Sequence, residues 1–233
     1  MAVIAVIPAR WSSQRLPGKI LADVAGKPLI ARVWERVRQC TAIDRVIVAT
    51  DHPEVVSVIE TLGGEAILTG PADNGTARVA QIAAKFPDCQ VVNVQGDQPL
   101  VDPEHIARVA ELLAGGAPIG TLCTSIEVAT DPDIVKVVVD RSGYALYFSR
   151  AAVPYRGPWL RHLGIYGFQP GVLAALGALP PTELDRSEDL EQLRWMAAGY
   201  RIAVGAVASA EIGVDTPAQL DAVRRCFERL NPP

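Results

Sequence analysis

The sequence predicts a doubly wound α/β fold with a mostly parallel, mixed sheet and a smaller β-rich insertion. Three observations carry this. Short apolar runs rich in β-branched residues alternate with segments of helical periodicity from Val3 to Thr124. Past Val128, strand-like segments follow one another with turns between them, and helical periodicity returns near the end.

Val3 to Ile7 is a continuous apolar run closed by Pro8, too short for a helix, and it reads as a buried parallel strand. Leu29 to Cys40 then carries Leu29, Ile30, Val33, Trp34 and Val37 at helical spacing. The alternation continues with strand Arg45 to Ala49, helix Pro53 to Leu62, strand Ala66 to Leu68, helix Ala77 to Lys85, strand Val91 to Val94, helix Pro103 to Leu113 and strand Ile119 to Thr124. Val135 to Asp140, Tyr144 to Phe148 and His162 to Phe168 read as strands, with Arg141-Ser142-Gly143 as a hairpin turn. Glu188 to Ala198 and Pro217 to Leu230 read as helices on either side of strand Arg201 to Val207. Without a linker or repeat, residues 1–233 are expected to form a single domain with an insertion at about 129–186.

Composition excludes several classes. The 233 residues carry 22 basic and 26 acidic side chains, a net charge of −4, with 49% hydrophobic and 21% charged residues, which rules out a disordered or fibrous chain. The acidic balance argues against a nucleic-acid partner. No apolar run approaches the roughly 18 residues of a membrane helix, and the opening MAVIAVIPAR lacks a basic leader, so a cytoplasmic chain with no membrane partner is expected. Cys40, Cys89, Cys123 and Cys226 are scattered, as are His52, His105 and His162, and point to neither a disulfide framework nor a zinc site.

The loop after the first strand, Pro8 to Lys19, concentrates phosphate-directed groups. In open α/β sheets ligands bind beyond the carboxyl ends of strands, and here Pro8, Ala9, Arg10, Ser13, Arg15 and Lys19 are the candidate nucleotide contacts. Arg10, Arg15 and Lys19 bring three cations within ten residues, and Gly18 permits close backbone approach. The competing reading is a surface loop of solvated arginines. The spacing is neither the dinucleotide fingerprint nor the Walker pattern, which counts against an NAD enzyme and a P-loop ATPase. Asp97 closes a predicted strand and Asp215 sits at a later strand-to-helix turn, so the two could meet as oxygen ligands for magnesium, or each could simply cap a helix. Asn74, Thr76, Arg78 and Gln95 offer amide and guanidinium groups at neighbouring strand ends, suited to a pyrimidine edge.

IPARWSSQRLPGK with LADVAGKPLI resembles the opening of the sugar nucleotidyltransferases, most closely the CTP:3-deoxy-manno-octulosonate (Kdo) cytidylyltransferases. Further matches in order are VIVATD (Val46 to Asp51), NVQGDQP (Asn93 to Pro99), VKVV (Val135 to Val138), GYALYFSR (Gly143 to Arg150), RHLGIYGF (Arg161 to Phe168), LEQLR (Leu190 to Arg194) and GVDT (Gly213 to Thr216), covering nearly the whole chain. The resemblance implies a nucleotidyltransferase Rossmann-like fold that transfers CMP from CTP to a small acidic acceptor and releases pyrophosphate. It implies Mg2+ on Asp97 and Asp215, with Arg10, Arg15, Lys19 and Asp97 as catalytic residues. Asn74, Thr76, Arg78 and Gln95 become the cytosine region, and Arg150, His162, Tyr166, Glu188, Glu191 and Gln192 face the acidic sugar. A homodimer built through the insertion is also implied.

Structural readings compete in the acceptor set: Tyr166 can be a plain strand aromatic, and Glu191 with Arg194 an exposed helical pair. The chain departs from the family at Asn74 and Ala77, where Ser and an acidic residue are usual, and at Gln98, where Glu is usual. The connection at 155–161 is also shorter. These departures keep the same reaction on a smaller acid, such as phosphonoformate, or on another ulosonic acid as the alternative. A non-catalytic nucleotide-binding protein is the alternative of another class.

Overall fold

The computed structural model describes residues 1–11 and 16–230. These form two compact units, one of Met1–Ala107 with Glu211–Pro233 and one of Arg108–Ala210. The second unit takes in residues 129–186 together with flanking chain on both sides.

The first unit runs β1 (Val3–Ala9), a 3-10 turn (Lys19–Leu21), the short hairpin β2 (Asp23–Val24) and β3 (Lys27–Pro28), α1 (Leu29–Val37), β4 (Arg45–Thr50), α2 (Pro53–Thr61), β5 (Glu65–Leu68), α3 (Gly75–Ala83), β6 (Gln90–Asn93) and the start of α4 (Pro103–Ala114). Within it β6, β1, β4 and β5 lie side by side, each pair parallel. Successive strands move outward from β1 through β4 to β5, and then β6 returns to the other side of β1. The order therefore reverses between β1 and β6, and a doubly wound sheet opens its ligand crevice at such a reversal. Val6 and Ile7 have no exposed surface. Burial of each contributes about 1.5–3 kcal/mol, which explains why the run is uniformly apolar rather than alternating.

The second unit contains β7 (Ile119–Ile126), β8 (Lys136–Val139), β9 (Ala145–Ser149), β10 (Trp159–Phe168), α5 (Val172–Gly177), α6 (Glu183–Glu188), α7 (Gln192–Ala197) and β11 (Ile202–Ala206); α8 (Pro217–Leu230) belongs to the first unit. β7 pairs parallel with β11 and antiparallel with β10. β8 pairs antiparallel with β10 and β9, and Gly143, at φ +82°, makes the β8–β9 turn that the sequence predicts. The sheet is thus mixed, as expected.

Two expected helices differ. The helix expected over 188–198 begins only at Gln192, because Asp189 takes the left-handed conformation at φ 52° and ends a separate helix, α6, at Glu188. Thr182 and Asp185 cap each other at the start of α6, a turn that the periodicity missed. α3 begins at Gly75 rather than Ala77, because Asn74 Oδ1 accepts the Ala77 N–H at 2.8 Å and starts the helix earlier.

Candidate active site

At the reversal in strand order the loop that leaves β6 lies close against the end of β1. A Cβ on Gly96 would stand 2.5 Å from the Pro8 carbonyl oxygen, so only glycine fits where the loop after β6 meets the end of β1. Gly75 lies 3.5 Å from the Pro8 ring and 3.7 Å from Gln95 Oε1 by the same construction, which brings the start of α3 to the same crevice. Arg10 is exposed and Ala9 buried at the end of β1. Gly18, at φ +68°, turns the chain into the 3-10 turn that begins with Lys19. Ser13 and Arg15 lie outside the described residues.

Lys19 is the centre of the site. Its ammonium donates to Asp97 Oδ2 at 2.8 Å, to Asp215 Oδ1 at 2.9 Å and to the Val214 carbonyl at 2.7 Å. Asp97 reaches it from the carboxyl side of β6. Asp215 arrives because the Val214 N–H donates to the Asp97 carbonyl at 2.8 Å, bringing the chain before α8 alongside the loop after β6. The helix-cap reading of Asp215 is corrected here. Thr216 and Gln219 cap α8, with Gln219 Oε1 accepting from the N–H groups of Asp215 and Thr216 at 2.8 and 2.9 Å, and the Asp215 carboxylate turns to Lys19.

This donor set suits a hard divalent cation. Two carboxylates from separate segments, with side chains 31% and 38% exposed, already gather around one positive nitrogen. Magnesium takes oxygen ligands, usually one or two carboxylates with substrate phosphates, so the pair matches its needs.

Of the base-directed residues, Asn74, Thr76 and Arg78 fall at the start of α3 and Gln95 just after β6; Asn74 and Arg78 have structural partners. Asn74 is the cap just described, which explains one departure from the family pattern, since asparagine and serine cap helices equally well. Arg78 is 3% exposed; its guanidinium donates to Asp51 Oδ2 at 2.7 Å and to Thr69 Oγ1. Thr76 and Gln95 are half-buried beside them. Sequence reasoning quoted Asp51 only as the end of a motif, but it ties the site together: Asp51 Oδ1 also accepts the Trp11 N–H at 2.9 Å. The Trp11 ring stacks on His52, with centroids 3.9 Å apart and planes 12° from parallel. The loop after β1 is thereby held to the end of β4.

The acceptor-directed residues lie in the second unit. Glu188 Oε1 accepts from Ser149 Oγ at 2.7 Å and Tyr147 Oη at 3.3 Å, and Oε2 accepts the Arg150 N–H at 2.8 Å. Burial raises the Glu188 carboxyl's pKa, but these hydrogen bonds outweigh it and hold the group below its ordinary value. Arg150, expected to face a substrate carboxylate, donates instead to the carbonyls of Glu188, Pro132 and Asp189 at 2.9, 3.2 and 3.2 Å. Beneath it Lys136, with no exposed surface, donates to the carbonyls of Asp131, Ile134 and Arg150; burial pushes its pKa down.

His162 and Tyr166 lie on either side of an irregularity in β10, where the pairing with β7 slips between Leu163 and Tyr166. Thr121 Oγ1 fills the irregularity, standing 2.8 Å from the Ile165 carbonyl, 3.1 Å from that of Leu163 and 3.0 Å from His162 Nε2. The hydroxyl has one proton for these three neighbours; with that proton on a carbonyl, His162 donates through Nε2. Burial, helped by the charge of Arg161, pulls the His162 pKa down to about 3. Tyr166 is buried against Trp195 and Phe168, and its hydroxyl has no hydrogen-bond partner among the described residues. The strand-aromatic reading of Tyr166 therefore has a physical basis. Arg194, the other member of the expected Glu191–Arg194 pair, donates to Asp185 Oδ2 at 3.0 and 2.6 Å. Glu191 is half-buried and Gln192 buried at the start of α7.

Comparison with known proteins agrees in extent. The profile of the cytidylyltransferase family matches residues 4–202. A 3-deoxy-manno-octulosonate cytidylyltransferase from Yersinia enterocolitica is 48% identical, with 96% of this chain and 98% of that protein covered. One of the same name from an Anaeromyxobacter species is 46% identical, with 95% of each covered. A solved structure of a CMP:2-keto-3-deoxy-manno-octonic acid synthetase complexed with CTP superposes with a TM-score of 0.96 at 39% identity, covering 99% of this chain and all of that one. No described helix is long and apolar enough to cross a membrane.

Proposed function

Because this chain belongs to the cytidylyltransferase family, we propose that it transfers CMP from CTP to 3-deoxy-manno-octulosonate and releases pyrophosphate, in the cytoplasm where CTP is made. The observation that carries the reading is the meeting of Lys19, Asp97 and Asp215 at the reversal of strand order. The names of the relatives support the substrate pair.

In this reaction a hydroxyl oxygen of the acceptor attacks the α-phosphorus. The bond from that phosphorus to the oxygen bridging towards the β-phosphate breaks, pyrophosphate leaves with the electron pair, and the hydroxyl proton passes to solvent. No protein nucleophile is needed, so catalysis consists of positioning and charge compensation. Asp97 and Asp215 would hold Mg2+, which supplies charge neutralisation on phosphate oxygens when bound. Lys19 then exchanges carboxylate for phosphate oxygens, joined by Arg10 and Arg15. Pro8, Ala9, Ser13, Asn74, Thr76 and Gln95 are the residues proposed for the nucleotide, and Arg78 acts through Asp51, which it holds in place. His162, Glu191 and Gln192 are proposed to serve the acceptor together with Arg150, which would exchange its present carbonyl partners for the acceptor's carboxylate; Glu188 holds the Arg150 backbone, and Tyr166 packs as a strand aromatic.

The family reading also carries a homodimer built through the insertion at about 129–186. Among the described strands β9 pairs only with β8, and it exposes Leu146 at 58%. Such an edge is a place for another copy to pair, and sedimentation equilibrium measures it.

The deciding experiment measures pyrophosphate released from CTP and Mg2+ with Kdo, other ulosonic acids and phosphonoformate in parallel. Turnover is expected with Kdo. Turnover of phosphonoformate with none of Kdo would replace the acceptor, and tight CTP binding without any pyrophosphate release would replace the enzyme with a nucleotide-binding protein.

A further inference from the structure

Glu211 begins the segment that leads to Asp215, and its carboxylate is nearly enclosed, with the side chain 13% exposed. Oε1 stands 2.7 Å from His105 Nδ1, a close polar contact that lacks hydrogen-bond geometry, and accepts the Asp102 N–H at 3.2 Å. Both partners lie at the start of α4, and His105 is itself 6% exposed. The far end of the segment is tied as firmly, since Val214 gives its N–H to Asp97 and receives Lys19 on its carbonyl. Residues 211–215 therefore form a strap pinned at both ends, with Asp215 directly beyond the second pin.

An enclosed carboxylate needs its partners, because an unpaired buried charge is strongly unfavourable. Removing His105 leaves the Asp102 N–H as the remaining partner of Glu211, draws the carboxylate towards water and loosens the first pin. Two carboxylates that must be gathered before they can bind an ion bind it more weakly than two already gathered, because ordering the chain opposes binding. Asp102 enters through its backbone N–H, while its Oδ1 accepts the Glu104 N–H at 3.0 Å as the cap of α4.

We infer that Glu211 and His105 are positioning residues: their pairing fixes the strap so that Asp215 faces Asp97 at a separation one divalent ion can bridge. This rests on the reading that Asp97 and Asp215 hold the ion. Sequence reasoning missed the pair because the three histidines are scattered and Glu211 belongs to no motif.

Mn2+ is the probe, with the free ion counted by electron paramagnetic resonance in the presence of a CTP analogue carrying a methylene between its α- and β-phosphorus. E211A and H105A are expected to weaken Mn2+ binding about fivefold or more. Binding of the analogue without metal stays within about twofold. E211Q, which keeps an acceptor oxygen, stays near the unmodified chain, and so does D102N, which keeps the N–H and the helix cap. Mn2+ affinity in both E211A and H105A within about twofold of the unmodified chain overturns the inference. A loss in D102N equal to that in E211A also overturns it, since the cluster would then act through its carboxylates as a metal site of its own. Should E211A fail to fold, H105A decides alone. Mn2+ binding that survives D97N and D215N overturns the reading of the site and this inference with it; a D215N-sensitive site indifferent to E211A and H105A overturns the positioning role alone.

Discussion

Asp97 and Asp215 share one cation: the Lys19 ammonium stands 2.8 Å from an oxygen of the first and 2.9 Å from an oxygen of the second. Like charges so placed repel unless something positive lies between them. Without metal that something is Lys19, so the lysine holds the acidic pair in place until substrate arrives.

Lys19→Met removes the charge and keeps most of the length. Turnover is expected to fall about 10²–10³-fold, the scale seen when a transition-state donor is lost. The metal-free variant should melt earlier than the parent, and Mg2+ should raise its melting temperature by more, since the ion then relieves a repulsion that Lys19 no longer screens. Equal Mg2+ effects on both proteins would refute this role.

Gly96 tests the crevice itself. Its missing Cβ would lie 2.5 Å from the Pro8 carbonyl, which is backbone and cannot rotate away. Gly96→Ala should therefore push the loop after β6 away from the end of β1, at a cost of about 1–3 kcal/mol, and weaken CTP binding. Urea unfolding and calorimetric titration measure the two effects. A variant as stable and as tight as the parent would show that the loop yields freely.

The β1 loop and the two aspartates were legible because each is a local pattern, a cation-rich turn after a buried strand or a carboxylate closing one. Those patterns place functional groups at strand ends, and the reversal of strand order brings them together. What Arg78 and Arg150 do was not legible. Both carry groups suited to a ligand, yet Asp51 and Thr69 hold one, and the carbonyls at 132, 188 and 189 hold the other. Those partners are chosen by tertiary packing, which no spacing encodes. The break at Asp189 was hidden for a related reason: apolar periodicity runs through 188–198, and only the left-handed backbone at one residue interrupts it.

His162 carries the first pH prediction. Its pKa falls to about 3, from burial and then from the neighbouring charge of Arg161. Folding favours the neutral ring, so its contribution to stability is complete above about pH 6.5, the unfolded value, and is lost as pH falls towards 3. Nitrogen NMR of the ring should show the Nε2-protonated tautomer without titration between about pH 5 and 8, the window in which an ordinary histidine changes charge. A midpoint in that window would contradict the enclosure of this side chain.

Asp185 carries the second, with the opposite chemistry. Burial raises its pKa, but hydrogen bonds from Thr182 and Arg194 and the charge of Arg194 outweigh it and bring the carboxyl to about 2. A folded value depressed from 3.8 to about 2 stabilises the fold on the order of 2 kcal/mol. That contribution is whole above about pH 4 and disappears as pH falls through 2. Because Asp185 both caps α6 and receives Arg194 from α7, Asp185→Asn should loosen the pair of helices that begins with Thr182. Urea midpoints for parent and variant are expected to differ at about pH 5 and to converge as the solution approaches pH 2. Curves that keep a constant separation across that range would mean the carboxylate's charge contributes nothing, leaving only the cap.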